Sequence, residues 1–325
     1  MNPLLCILGP TASGKSGLAM ALARSEQLGT VEIVSIDSAL VYTGMDIGTA
    51  KPSKADRDQV AHHLIDLCAP EAAHSVADHL KAARSAVEGI ASRGHTPLLV
   101  GGTMLYFKAL RDGIDDLPTC RPQTRARIAD DARRLGWPAL HARLTEHDPA
   151  TAARLSVHDA QRIARALEVY EETGQALSAW IALSRQRGTG LPPIAPLRTL
   201  ALEPVDRRWL HDRIAQRLHD MMQGGFLDEV RALRQREGLS AQHPSMRAVG
   251  YRQAWAHLDG AAGFEAPEAC LQKAIEATRQ LAKRQMTWLR SFGDIRRVDP
   301  QTATVDQLIT VCAELMGRAK TSPIR

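Results

Sequence analysis

Short apolar runs alternate with helical periodicity through the first third of the chain. Leu4-Leu5-Cys6-Ile7-Leu8 is continuous and apolar, which predicts a fully buried strand. Lys15 to Ser25 then places Leu18, Leu22 and neighbouring alanines at helical spacing. Glu32 to Ile36 predicts a second strand, His63 to Leu67 a weaker one and Pro97 to Val100 another. Ser75 to Arg93 predicts a helix, with Ser75 as its cap and Asp78 three residues on. Buried strands that alternate with helices predict an α/β fold, a parallel sheet covered on both faces.

The pattern changes after Leu117. From there to Arg187 no strand signal occurs, and 121–135, 137–146, 159–173 and 176–185 all predict helices. Gly136-Trp137-Pro138, Asp148-Pro149 and Thr173-Gly174 break them. Gly188 to Pro196 is a Gly/Pro-rich linker, after which Leu197 to Leu202 returns as a strand. The remainder is mostly helical, at 206–222, 226–237, 249–258, 266–291 and 305–317. The chain therefore divides into the first part of an α/β core at 1–116, a helical insert at 117–190, and a return to the core with a helical, basic C-terminal region at 191–325.

Composition sharpens this picture in two ways. With 44% apolar and 24% charged residues in 325, the chain is globular rather than disordered. No apolar run approaches the ~18 residues of a membrane span, and Met1-Asn2-Pro3 carries no basic lead before its apolar stretch. Cysteines at 6, 68, 120, 270 and 312 are odd in number and form no CxxC, so neither a disulfide framework nor a zinc site is implied. A reduced, cytoplasmic protein is expected. Net charge is +5, and of 41 basic residues 33 are arginine. Between Cys270 and Arg297 seven basic residues face only Glu276 and Asp294, so cationic character concentrates there.

Gly9-Pro10-Thr11-Ala12-Ser13-Gly14-Lys15-Ser16 fits GxxxxGK[ST], after a predicted strand and before a predicted helix. In that setting the glycines let backbone N–H groups turn onto phosphate oxygens, and the helix terminus adds partial positive charge. Pro10 has no N–H, so the donors come from later positions. Lys15 is the loop's only side-chain cation, and Ser16 supplies a hydroxyl for Mg²⁺. Asp37 follows the second strand directly, and Gly101-Gly102-Thr103 ends another. Ligands of parallel α/β sheets bind outside the carboxyl ends of the strands, so a phosphate cradle, a carboxylate and a hydroxyl are expected on one rim.

GPTASGKS at 9–16, DSALVYTGMDIGTAKP at 37–52, GGTMLY at 101–106, MRAVGYRQ at 246–253 and TRQLAKRQMTWLR at 278–290 resemble, in order and spacing, the signature blocks of bacterial tRNA dimethylallyltransferases, also called tRNA isopentenyltransferases. The resemblance implies a P-loop NTPase-like core and transfer of a dimethylallyl group from dimethylallyl diphosphate to N6 of the adenosine next to the anticodon, at tRNA position 37. It also implies Mg²⁺, a monomer, and an insert that closes over the anticodon stem-loop. Gly9 to Ser16 would bind the diphosphate. Asp37 would be the general base and, with Ser38, Ala39 and Leu40, would line the target adenosine. Thr103 would contact the reacting region, and Arg125 in the insert matches an arginine used at the substrate.

For RNA, the resemblance points first to Gln161, Arg162, Ile163, Ala164 and Arg165, with Arg162 and Arg165 on one helical face. It points next to Arg247, Ala248, Val249, Gly250, Tyr251 and Arg252, where Tyr251 would offer a stacking surface for an unstacked base. The last block is Lys283, Arg284, Gln285, Met286, Thr287, Trp288, Leu289 and Arg290. There Lys283, Thr287 and Arg290 fall on one stripe, while Met286 and Leu289 can face the core and Trp288 reads as core packing. The phosphate loop alone also suits a small-molecule kinase, or a prenyltransferase of free AMP or ADP. Neither needs the cationic helix at 278–290 or an insert that grips an anticodon arm.

Overall fold

The computed structural model describes residues 3–25 and 27–318; Met1-Asn2, part of the N-terminal signal reading, lies outside the described residues. The chain forms two compact units, one of residues 1–111 with 193–325 and the other of residues 112–192.

The first unit opens with β1 (Leu4–Leu8), α1 (Lys15–Arg24), β2 (Val31–Ile36), α2 (Lys54–Gln59), β3 (His62–His63), α3 (Val76–Ser92), β4 (Thr96–Gly101) and α4 (Met104–Asp112). The second unit holds α5 (Pro122–Leu135), α6 (Trp137–His147), α7 (Pro149–Ala152), α8 (Ala160–Thr173) and α9 (Leu177–Arg187). The chain then returns with β5 (Leu197–Leu202), α10 (Arg207–Gln223), α11 (Phe226–Arg234), α12 (Tyr251–Leu258), α13 (Pro267–Arg290), β6 (Arg296–Val298) and α14 (Val305–Leu315). All strands run parallel in the order β3-β2-β4-β1-β5-β6. The sheet is the α/β core expected, with a P-loop after its central β1.

Central strands β1 and β2 are buried along their whole length, as continuous apolar runs require when helices cover both faces. On one face α1 and α14 pack Leu18, Leu22, Leu308 and Ile309 against Leu5, Ile7, Leu98 and Leu200. A second cluster joins α10 to α13 with the segment after β2, through Met45, Phe226, Met246, Tyr251 and Ile275. The cap read at Ser75 is a full capping box, Ser75 and Asp78 each satisfying the other's backbone N–H. In the second unit Ile128, Leu140, Leu144, Ile163 and Leu167 make a separate core, from the helical spacing that predicted it. Among the described residues no helix is long and apolar enough to cross a membrane.

One expectation needs correction. The strand at His63–Leu67 shrinks to the pair His62–His63, because Leu64 and Asp66 take positive φ (63° and 56°) and turn the chain out of the sheet. The C-terminal region is mostly helical as expected, with one addition that no apolar run announced: β6, an edge strand beside β5, short and charged. The cysteines are free thiols. Cys6, Cys120, Cys270 and Cys312 are buried, and burial pushes Cys270 up to about 11 and Cys312 up to about 12.

Glu32 is a buried carboxylate near the amino-terminal edge of the sheet. It accepts from His63 Nε2 and His95 Nδ1, each at 2.6 Å, and from Arg93 at 2.7 Å. Burial alone would raise its carboxyl, but hydrogen bonds from Arg93, His63 and His95 outweigh it and hold the group at about 2. The unfolded chain, with Glu32 near its ordinary 4.5, therefore binds more protons between those values. The stability from this group is fully present above pH 4.5 and is lost as pH falls through about 2. Glu32→Gln is expected to be less stable than the parent at neutral pH, by urea denaturation, with the difference shrinking on acidification through that window. A pH-independent difference would show that the ion pairs contribute nothing.

Candidate active site

Strands β2, β4 and β1 are neighbours in the sheet, so their three carboxyl ends open on one rim. After β1 the chain turns through Gly9 to Gly14. Gly14, at φ 95°, is the N-cap of α1. The first intrahelical bond runs from Leu18 N to Gly14 O at 3.0 Å, so the N–H groups of Gly14, Lys15, Ser16 and Gly17 have no helical acceptor. These are the donors a phosphate needs. Ser13 is buried with an unpartnered hydroxyl, as befits a group that meets ligand or water. Lys15 Nζ donates to Pro10 O at 3.2 Å. Burial pulls the Lys15 ammonium down to about 8, with the charge of Asp37 opposing and that of Arg217 adding to the fall.

After β2, Asp37 Oδ1 accepts the Ala39 N–H at 2.9 Å, an Asx turn that fixes the carboxylate at the strand end. After β4, the Thr103 N–H donates to Ile36 O at 3.2 Å, so the two strand ends are stitched together. Thr103 Oγ1 accepts the Ser38 N–H at 3.0 Å and donates to Ser38 Oγ at 3.3 Å. The structure thus gathers the phosphate loop, Asp37, Ser38, Ala39 and Thr103. Asp46 is engaged elsewhere: it pairs with Lys51 at 2.6 Å, and Lys51 also pairs with Asp66 and donates to Tyr42 O.

Four residues at this rim escaped the motif reading or had another part in it. Arg213 Nε donates to Ala12 O at 2.8 Å, inside the phosphate loop. Arg217 donates to Thr49 O at 3.3 Å; burial pushes its guanidinium down, and the nearby charge of Asp37 opposes this. Lys15 is therefore not the only side-chain cation of the cradle. Arg213 and Arg217 stand four apart on α10, beside the buried Leu210 and Ile214, and that spacing was the available signal. Glu229 on α11 accepts the N–H groups of Asp46, Ile47 and Gly48 at 2.8, 2.6 and 3.2 Å. Gln285 turns its amide into the rim, where Oε1 accepts the Thr11 N–H.

Among the residues expected to hold RNA, Tyr251 is corrected. It is fully buried, packs edge-on against Phe226 and donates its hydroxyl to Glu229 at 2.6 Å, so it offers no stacking face. Arg247 and Arg252 beside it are exposed, Ala248 and Val249 half-buried, and Gly250 is the N-cap of α12. On α13, Met286 and Leu289 do face the core. Trp288 does not: it is 36% exposed, on the side carrying Lys283, Arg284 and Thr287. Arg290 is committed to Glu203 at 2.6 Å, which Arg297 also approaches at 3.2 Å.

In the second unit Arg125 is exposed, 3.7 Å from Glu168. Arg162 pairs with its own N-cap residue Asp159 at 2.6 Å, and Gln161 is exposed next to it. Arg165 is turned to its own unit, donating to Pro118 O at 2.8 Å and to Cys120 Sγ at 3.0 Å. Ile163 is buried in the core and Ala164 is half-buried.

The family model described as IPP transferase matches residues 40–292. A tRNA dimethylallyltransferase of Methylibium petroleiphilum is 58% identical over 289 residues, which are 89% of this chain and 86% of that protein. The crystal structure of a full-length tRNA isopentenylpyrophosphate transferase from Bacillus halodurans superposes with a TM-score of 0.67 at 31% identity, covering 98% of this chain and 97% of that one. A eukaryotic dimethylallyltransferase acting on tRNA shares the fold, with a TM-score of 0.77 at 22% identity over 99% of this chain and 82% of that one.

An anion in the cradle stabilises the charged form of Lys15, so binding above about pH 8 must draw in a proton. Affinity for inorganic diphosphate is expected to fall by up to about tenfold per pH unit above that point. Calorimetry in buffers of different ionisation enthalpy should detect the proton uptake, and Lys15→Met should abolish it. A flat affinity up to about pH 10, the ordinary range of a lysine, would show that Lys15 titrates as if exposed.

Proposed function

The chain belongs to the IPP transferase family, and from that premise we propose how its first unit performs the reaction. It transfers a dimethylallyl group from dimethylallyl diphosphate to an adenosine of tRNA. The acceptor on this reading is the exocyclic N6 of the adenosine at tRNA position 37, beside the anticodon. The observation that carries the reading is the meeting of Lys15, Asp37 and Thr103 at three adjacent strand ends, with Arg213 and Arg217 closing the cradle.

The adenine amine is a poor nucleophile because its lone pair is delocalised into the ring. Asp37 takes a proton from that nitrogen as the new C–N bond forms. The allylic C–O bond breaks, and its electron pair leaves with the diphosphate. The free N–H groups at the start of α1, Lys15 and Arg217 hold that departing charge. Ser38 and Ala39, fixed by Thr103 and Asp37, frame the edge of the base. A base stacked in an anticodon loop must swing out to reach this rim.

The donor set also suits Mg²⁺. Ser16 is exposed in the first turn of α1, and no group among the described residues bonds its hydroxyl, so a hard cation can take it together with diphosphate oxygens and water. Such an ion would neutralise charge on the leaving diphosphate. On this reading the protein works as a cytoplasmic monomer, and the helical second unit, with Arg125, Gln161 and Arg162 exposed, meets the anticodon arm.

Nucleoside analysis of tRNA incubated with the protein, Mg²⁺ and dimethylallyl diphosphate should show N6-prenylated adenosine. Its absence from a tRNA with adenosine at position 37 would overturn the reading. Asp37→Asn keeps size and one acceptor but cannot take a proton, so single-turnover chemistry should slow by about 10²–10⁴ while tRNA affinity changes little. Near-normal chemistry in that variant, with loss in Asp46→Asn, would move the base to Asp46. Replacing Lys283 and Arg284 together should flatten the plot of log tRNA affinity against log salt by about 0.7–0.9 for each phosphate group the two cations neutralise. Arg290→Gln should flatten it less, since Glu203 already neutralises that guanidinium.

A further inference from the structure

Gln285 sits in the middle of the α13 block expected to hold RNA, yet its amide points the other way. Oε1 accepts the Thr11 N–H at 2.9 Å, and Nε2 donates to Gly102 O at 2.8 Å. One side chain therefore spans two loops that follow different strands. Gly102 leaves room for it. A Cβ at that position would lie 2.6 Å from Gln285 Nε2 and 3.0 Å from Gly9 O. The next residue after Gly102 is Thr103, whose hydroxyl holds the Ser38 N–H. Beyond the ends of the paired strands, where Leu8 and Ile36 both meet Gly101, one amide thus braces the phosphate loop against the turn beside Asp37.

The chemistry of the bridge is specific. One end must accept and the other must donate, which an amide does and a carboxylate or an aliphatic chain cannot. Glutamate would face the Gly102 carbonyl with an acceptor and would place a negative charge beside the cradle. The same helix turn carries Lys283, Arg284, Thr287 and Trp288 on its exposed side. Seating of that face and the shape of the cradle are therefore linked through a rigid element.

We propose that Gln285 is a positioning residue that sets the phosphate loop against Thr103 and makes diphosphate binding depend on how α13 is seated, so that RNA on the outer face of α13 tunes affinity in the cradle. The second half rests on the reading of α13 as an RNA grip; the first half does not.

The test uses the full chain and Gln285→Met, which keeps helix propensity and bulk but loses both bonds. Without RNA, its affinity for inorganic diphosphate should fall about tenfold, the worth of roughly one net hydrogen bond. KM for dimethylallyl diphosphate should rise in step, and tRNA affinity should stay within about twofold of the parent. Gln285→Glu should do worse on both diphosphate measures. In the parent, adding tRNA should change diphosphate affinity, and in Gln285→Met that change should vanish. Unchanged diphosphate affinity and KM in Gln285→Met would overturn the proposal, as would loss of tRNA affinity with diphosphate binding intact, which would make Gln285 an RNA contact. If Gln285→Met does not fold, Gln285→Asn decides, since an amide one methylene shorter cannot reach both Thr11 and Gly102 and should likewise weaken diphosphate binding. A parent whose diphosphate affinity ignores tRNA would refute the tuning. A parent that binds no tRNA would refute the RNA reading, while the RNA-free measurement would still judge the bridge.

Discussion

Positive charge held partly out of water around a single carboxylate is the constraint on which the rest of the first unit depends. Lys15, Arg213 and Arg217 converge on a rim where Asp37 is the opposing charge felt by Lys15 and Arg217. Desolvated cations are costly unless something holds them. Here backbone carbonyls do so, Pro10 O for Lys15 and Thr49 O for Arg217, while the exposed Arg213 is tied to Ala12 O. Those carbonyls must themselves be fixed, which explains the effort spent on the loops that carry them. Glu229 collects three successive N–H groups just before Thr49, and Gln285 pins Thr11 just before Ala12. The site is set for an anion before one arrives, so little reorganisation is left for the reaction itself.

Much of this was legible in the sequence because it is local. A GxxxxGK[ST] loop between an apolar strand and a helix carries its own context, and so does an aspartate at a strand end. Helix spacing located both cores for the same reason. What stayed hidden depends on contacts between distant segments. Nothing near Glu229 says that its partners lie at 46–48, and nothing near Gln285 says that it faces Thr11 rather than RNA. Tyr251 and Trp288 each stand where the sequence suggests the other. A tyrosine among arginines looks like a stacking surface, yet Phe226 and Glu229 bury it from elsewhere in the chain. A tryptophan between Thr287 and Leu289 looks like core, yet the helix turns it outward. Aromatic type alone does not decide which face of a helix is covered.

The second unit carries its basic charge as arginine, balanced by as many acids, and many of those arginines are used at home. Glu171 is shared by Arg127 and Arg143, Glu172 takes Arg121, and Asp131 takes Arg134 and Arg143. Most of these pairs are exposed on the arginine side and add little stability singly. Their effect is to orient guanidinium groups on a small helical body, so the charge it presents is patterned rather than diffuse.

The four buried thiols have a practical corollary. Thiolates react and thiols do not; all four are shielded, and burial also holds Cys6, Cys270 and Cys312 protonated. Cys6 lies in β1, Cys312 on α14 against the sheet and Cys270 on α13, all in the first unit, and Cys120 lies just before α5 in the second, so they report on different regions of the structure. Alkylation at any of them has to wait for that part of the protein to open. The chain thus carries a built-in set of clocks for regional opening, readable by mass spectrometry without introducing a label.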